Sequence, residues 1–353
     1  MTARAAVWDG ERFLLREFAH PELGAGEVLV RVRMATICGS DLHTLRGDRP
    51  TPLPAVLGHE AVGEVVAAGP AARTRSGASV EPGMRLTWTI GTACGSCARC
   101  RRGLPQKCTE QHKYGHAACT DAWALNGGFA DHCHLLAGTG LVEVPPDVPD
   151  AVITPANCAT ATVVGAVHRA DPDPAGVVVV QGCGMLGLTA VAYLRHLGVR
   201  SIVACDPDAG RRDAAGAFGA AEVTGPDGAA AAVRRLSGGE GAVAVLELSG
   251  SNAAIRSSWE LLAIGGHLAL VGSVSPADPV GLSAESVVRR LLTVSGSHNY
   301  GADDLVSAVD FLARGARHAD FAALVPRSFP LGEVDAAVAF AERARVPRVA
   351  LVP

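Results

Sequence analysis

The feature that most constrains this chain is a run of four valines, Val177–Val180, leading into Gly182-Cys183-Gly184-Met185-Leu186-Gly187 and then the apolar segment Leu188–Leu197. A β-branched strand, a glycine turn and a helix in direct succession form the first half of a strand–helix–strand unit, which needs a parallel sheet to bury it. The first glycine permits the tight turn, the second lets the backbone approach a pyrophosphate, and the third lets helix and strand pack closely. The unpaired amides at the helix N-terminus then suit an anion. Gly182, Gly184, Met185, Leu186 and Gly187 are therefore candidate cofactor contacts. A glycine-rich turn in an unrelated α/β domain would look similar.

Asp206, nineteen residues beyond Gly187, follows a second short strand. A carboxylate there accepts from a ribose diol and repels a 2′-phosphate, so the expected cofactor is NAD rather than NADP. Arg211 and Arg212 follow closely and could soften that preference, and Asp206 could instead serve as a turn or cap aspartate.

The pattern repeats beyond this point. Ser201–Cys205, Ala242–Leu248, His267–Val271 and Leu292–Ser295 read as further strands separated by Ala-rich helical stretches. That alternation predicts a doubly wound parallel sheet covered on both faces. The first part of the chain differs. Short β-type runs such as Val28–Val32 and Ala61–Val66 lie among frequent Gly and Pro, and VPPDVP at 144–149 suggests a boundary. The expected architecture is α/β: a β-rich domain over 1–158, a Rossmann domain over 159–297, and a tail, 298–353, that returns to the first domain.

Cys94, Cys97, Cys100 and Cys108 fall within fifteen residues. Four thiolates at this spacing can close a tetrahedron around one zinc, which predicts a metal-held lobe over about 91–112. The site would be closed, with no open position for chemistry. In a chain of 353 residues with no apolar leader at its start, clustered cysteines read as ligands rather than disulfides. Cytoplasm is the expected compartment. The stretch Val177–Leu194 reads as strand, turn and helix rather than a membrane span. The net charge is −4 and only 4% of residues are aromatic, so neither nucleic acid nor a membrane surface is an expected partner.

A second set of ligands is more dispersed. ICGSDLH brings Cys38, Ser40, Asp41 and His43 close together, and GHE supplies His59 and Glu60. Cys158 lies far along the chain, and spacing alone does not separate it from a buried structural cysteine. Cys38, His59 and Cys158 would offer two sulfurs and one nitrogen, a set that leaves a tetrahedral zinc one open position.

With these motifs in this order along nearly the whole chain, the sequence resembles the zinc-dependent medium-chain dehydrogenase/reductase family of alcohol, polyol and threonine dehydrogenases. The resemblance implies a GroES-like catalytic domain with a Rossmann domain and two zincs per chain. Cys38, His59 and Cys158 would hold the catalytic zinc, with Glu60 beside it, and the four-cysteine lobe would hold the structural one. It also implies that Ser40 touches the substrate oxygen and that His43 carries the proton to solvent. Ser249 in LELSGS and Gly272 in LVGSVS would line the nicotinamide half of the cofactor, and the assembly would be a homodimer or homotetramer. Asp41 would fix the tautomer of His59; Ser40 and Asp41 could instead cap the helix that starts there. Gly39 departs from the branch that carries a basic residue at this position to meet the pyrophosphate.

RPTPLPAVLGHE, RRGLPQKC, KYGH, GGFADHCHL and SGSHNY more narrowly resemble a subgroup that accompanies bacterial phosphonate metabolism. The expected activity is hydride transfer between NAD and an alcohol, or its aldehyde or ketone, with a small anionic or phosphonate-bearing alcohol as candidate. The alternatives are an NADPH-linked carbonyl reductase of the same fold and a non-catalytic nicotinamide-binding relative. Three polar clusters have no role in this scheme: His112–His116, His132–His134 and His298–Tyr300. They are candidates for the substrate pocket, a subunit contact or a third metal. Cys119, Cys133, Cys183 and Cys205 read as small apolar residues.

Overall fold

The computed structural model describes every residue of the chain except Arg317. The chain divides into two compact units, the first comprising residues 1–158, 300–313 and 321–353, the second residues 159–299 and 314–320.

The first unit is built on a seven-stranded sheet. In spatial order, Ser328–Pro330, Val349–Val352, Val28–Ile37, Glu60–Ala68, Arg85–Trp88 and Leu141–Glu143 pair in sequence, and His132–Leu135 also pairs with Val28–Ile37. All these pairs are antiparallel except the first. The runs expected over Val28–Val32 and Ala61–Val66 are thus the cores of longer strands. Val28–Ile37 alternates in its middle, with Val30 and Val32 buried and Arg31 exposed between them. That period-two pattern fixes which face meets the core. A three-stranded sheet, Phe13–Ala19, Thr2–Trp8 and Ala55–Val56, packs into the same core around Trp88, Tyr114, Phe129, Leu57, Leu86 and Leu135. Burying a side chain of the size of Phe129 contributes roughly 1.5–3 kcal/mol.

The second unit is a six-stranded, wholly parallel sheet. Its spatial order is Glu222–Thr224, Ser201–Cys205, Val177–Gln181, Ala242–Glu247, Leu262–Leu270 and Thr293–Gly296. Numbered along the chain, the order is 3-2-1-4-5-6, with the Val177 strand first. In such sheets the order reverses beside the first strand, and a dinucleotide lies beyond the strand ends at that point. The four valines of Val177–Gln181 are all buried, as expected for a central parallel strand. The strand Leu262–Leu270 begins earlier than its apolar pattern suggests, because Gly265 and Gly266 interrupt the pattern without ending the strand. Val177–Leu194 resolves into the strand Val177–Gln181 and most of the helix Met185–His196. Among the described residues no single helix is long and apolar enough to cross a membrane.

Candidate active site

Among the described residues, two groups of side chains converge closely enough to hold a metal ion: Cys94, Cys97, Cys100 and Cys108, and Cys38, His59, Glu60 and Cys158. In each group the ligand atoms all lie within 4.8 Å of one another.

In the lobe, the backbone folds so that amides point at sulfur. Cys97 N–H donates to Cys94 Sγ at 3.3 Å, Cys100 N–H to Cys97 Sγ at 3.4 Å, and Cys94 N–H to Cys108 Sγ at 3.3 Å. Hydrogen bonds to sulfur favour the thiolate, the form that binds metal. The amides of Cys100 and Thr109 help to hold the Cys97 thiol down to about 5. The lobe closes at its base, where Gly91 and Lys113 form a β-bridge and Thr92 and His112 exchange hydrogen bonds at 3.0 Å. Four sulfurs and no open side suit a holding role.

The second group is assembled from three places in the first unit. Cys38 is the N-cap of the helix Gly39–Leu45, the position that capping by Ser40 or Asp41 would have filled. Ser40 lies instead in the first turn. Asp41 occupies the third helical position, where its carboxylate accepts from Cys38 N–H at 2.8 Å and Gly58 N–H at 3.4 Å. The same carboxylate lies 3.4 Å from His59 Nδ1, within ion-pair distance but without hydrogen-bond geometry, so the residue that caps the helix also faces His59. His59 Nε2 faces the other way, 3.2 Å from Ser40 Oγ. Cys158 ends the short turn Thr154–Asn157 that packs beneath the sheet.

The electrostatics fit a cation. Sharing a proton with Cys158 and lying near Arg348 lowers the Cys38 thiol well below its ordinary value; the Cys158 thiol moves well above its own for the same shared proton and for burial. Burial works against charge on His59, but Asp41 and Cys38 outweigh it and raise the imidazolium to about 10. A buried centre that holds a proton this firmly between thiolate and carboxylate would exchange it for a metal ion of borderline softness. Two thiolates, one imidazole and a nearby carboxylate are a zinc donor set.

Sequence reasoning missed Arg348. Its guanidinium grips the Glu60 carboxylate through Nε–Oε2 at 2.5 Å and Nη2–Oε1 at 2.7 Å, and Nη2 also lies 3.3 Å from Cys38 Sγ. Thr36 Oγ1 donates to the same carboxylate at 2.5 Å. Burial raises the Glu60 carboxyl while the Arg348 charge opposes it. The only signal in the sequence was a basic residue directly before the apolar strand Val349–Val352.

His43 meets Asp48 through Nδ1 at 3.1 Å, and its side chain is 46% exposed. Gly39 has open space where a side chain would stand. Of the unassigned clusters, the first places His116 against this centre, its ring 4.7 Å from that of His59. His112 packs edge-on to Trp123, His132 lies against His20, and His134 meets Glu27 at 3.0 Å. Tyr300 is buried and donates its hydroxyl to Asn157 O. None of the three clusters forms a third metal group among the described residues.

In the second unit the glycine motif has the packing its spacing implies. A Cβ at Gly187 would stand 1.9 Å from Gly182 O, and Gly182 adopts φ +92°. The helix Met185–His196 begins with no side-chain cap, which leaves its first amides for an anion. Asp206 reaches back to this turn, accepting from Cys183 N–H at 2.8 Å and Asp208 N–H at 2.9 Å, with Arg211 Nη1 3.9 Å away. Ser249 and Gly272 stand at the ends of neighbouring strands, and Ser249 abuts Gly182. Glu247, a second residue the sequence did not single out, organises that turn by accepting from Ser249 N–H at 2.8 Å and Gly250 N–H at 2.9 Å.

Comparison with known proteins agrees with this picture. Residues 24–146 match the profile of the alcohol dehydrogenase GroES-like domain, and residues 186–314 that of the zinc-binding dehydrogenases. An alcohol dehydrogenase of Geobacillus stearothermophilus is 30% identical over 305 residues, 85% of this chain and 86% of the relative. An L-threonine 3-dehydrogenase of Anaeromyxobacter dehalogenans is 30% identical over 325 residues, 89% of this chain and 87% of the relative. The crystal structure of an alcohol dehydrogenase from Thermotoga maritima superposes with a TM-score of 0.94 at 29% identity, covering 100% of both chains. With matched profiles in both units, the metal-competent thiolates and the 3-2-1-4-5-6 sheet, this chain belongs to the zinc-type medium-chain alcohol dehydrogenase family and is an oxidoreductase.

Proposed function

We propose that the chain oxidises an alcohol, or reduces the corresponding carbonyl, with NAD as hydride carrier, and that its substrate is a small alcohol bearing an anionic group such as a phosphonate. The observation that carries the reading is the convergence of Cys38, His59 and Cys158, with Asp41 and Arg348 holding the surrounding groups in place. Zinc at this centre supplies Lewis acidity, which favours loss of the hydroxyl proton and polarises a carbonyl.

The chain's own residues do the rest. Cys38, His59 and Cys158 bind the metal, and Asp41 keeps the Nε2 face of His59 turned toward it. Ser40 Oγ, 3.2 Å from His59 Nε2, accepts the substrate's hydroxyl proton as it gives up its own, which would pass through the ribose hydroxyls of the cofactor to His43. His43, in the next turn of the same helix and half exposed, releases that proton to solvent. Glu60 stays within ligand reach, restrained by Arg348 and Thr36. Cys94, Cys97, Cys100 and Cys108 hold a second, structural zinc. Gly182–Gly187 cradle the pyrophosphate, and Asp206 takes the ribose diol, which favours NAD over NADP. Family resemblance supports a homodimer or homotetramer.

A screen of the zinc-loaded protein with NAD and with NADP, over simple alcohols, polyols and hydroxyalkyl phosphonates, tests the reading. Alcohol-dependent reduction of NAD is expected. Preference for NADP(H) would favour the carbonyl-reductase alternative, and no turnover with any substrate would favour a non-catalytic relative.

A further inference from the structure

We infer that Arg49, Lys113 and His116 form a subsite beside the Cys38, His59 and Cys158 centre that receives a dianionic phosphoryl-type group carried by the alcohol. The inference deepens the dehydrogenase reading above and rests on it.

Two chain segments bring the three residues to the centre. Arg49 follows the helix Gly39–Leu45 that Cys38 caps, and its amide donates to His43 O at 3.3 Å. Lys113 and His116 lie on the segment that leaves the four-cysteine lobe, tied by His116 N–H to Lys113 O at 3.3 Å. Gly115 presses that segment onto the backbone carrying His59. It adopts φ +72°, and a Cβ there would meet Gly58 C at 2.8 Å and His59 N at 2.9 Å. His116 therefore stacks on His59, ring centroids 4.7 Å apart and planes 30° apart.

The charges in this corner are unbalanced. Cys38 and Cys158 would neutralise a divalent metal, Glu60 is matched by Arg348, and the buried Asp41 carboxylate faces His59 from its Nδ1 side. Neither Arg49 nor Lys113 has a carboxylate partner among the described residues. They repel each other: burial and the Arg49 charge pull the Lys113 ammonium down to about 8, a half-buried cation with no counterion. His116 Nδ1 is sealed from solvent and has no hydrogen-bond partner. A guanidinium, an ammonium and an imidazole waiting for a partner form a receptor for an oxyanion with several acceptor atoms. Two cations match a dianion better than a carboxylate.

The test uses the zinc-loaded enzyme and three alcohols of equal chain length, ending in a phosphonate, a carboxylate or a methyl group. The phosphonate should have the highest kcat/KM. In Lys113→Met and Arg49→Met its advantage over the methyl alcohol should fall about tenfold to a hundredfold, the worth of a charge-assisted hydrogen bond, mainly through KM. Arg49→Lys should restore part of it. An unchanged ratio in both variants overturns the subsite, and a preferred carboxylate overturns the dianion assignment. If no alcohol is turned over, the dehydrogenase reading fails by itself. The subsite is then judged by calorimetry with methylphosphonate, whose binding must weaken in Lys113→Met; equal binding overturns it.

Discussion

Arg348 holds the carboxylate of Glu60 through two parallel hydrogen bonds across 288 positions of sequence, with neither side chain more than 7% exposed. The pair joins the last strand of the chain to the strand that follows His59. It also brings a permanent cation to within 3.3 Å of Cys38 Sγ, where it favours the thiolate.

Removing only one member of such a pair leaves the other charge buried without compensation. Arg348→Met should cost about 3–5 kcal/mol of stability. The double variant Arg348→Met/Glu60→Gln, which removes both charges, should cost less than the single one. Denaturant unfolding of the metal-loaded proteins measures the difference, and a double variant less stable than the single would contradict the compensation argument.

Asp41 contacts His59 Nδ1 and Cys38 N–H together, so it orients one ligand while capping the helix that carries another. Asp41→Asn should weaken zinc binding at this centre by about 10–100-fold with the lobe zinc retained. Competition with a chelator, followed by the loss of one zinc equivalent, reads the effect. Equal retention of both zincs would show that Asp41 serves the helix alone.

Asp206 carries a double load. Its carboxylate ties the glycine turn through Cys183 N–H and its own turn through Asp208 N–H, and the proposed role gives it the ribose as well. Asp206→Asn keeps the size but removes the charge that repels a 2′-phosphate. The ratio of kcat/KM for NADP over NAD should rise by about tenfold or more, aided by Arg211 at 3.9 Å. An unchanged ratio would assign Asp206 to the turn only.

The parts of this account that were legible in the sequence are local ones. Val177–Gln181, its glycine turn and the helix after it lie within twenty residues, and each step has a residue-level cause. The four lobe cysteines are equally local. Distant pairings were hidden: nothing near Glu60 in sequence announces Arg348, and Cys158 stood out only through family resemblance. Cys38 did not stand out as the N-cap because a cysteine is a poor capping residue by propensity, yet it holds that place with Asp41 completing the box. Glu247 escaped notice because a carboxylate ending an apolar strand looks like a boundary, whereas it binds the amides of the next turn.

The central claim is that catalysis depends on the zinc at Cys38, His59 and Cys158 and not on the zinc of the lobe. Metal analysis paired with turnover, on the wild type, Cys38→Ser and Cys97→Ser, tests it most directly. The account predicts two zincs in the wild type. Cys38→Ser should lose one zinc and all turnover while still binding NAD, and Cys97→Ser should lose the other and with it the stability of the segment 91–113. A wild type holding only the lobe zinc, or a Cys38→Ser variant that still oxidises alcohol, would contradict the account.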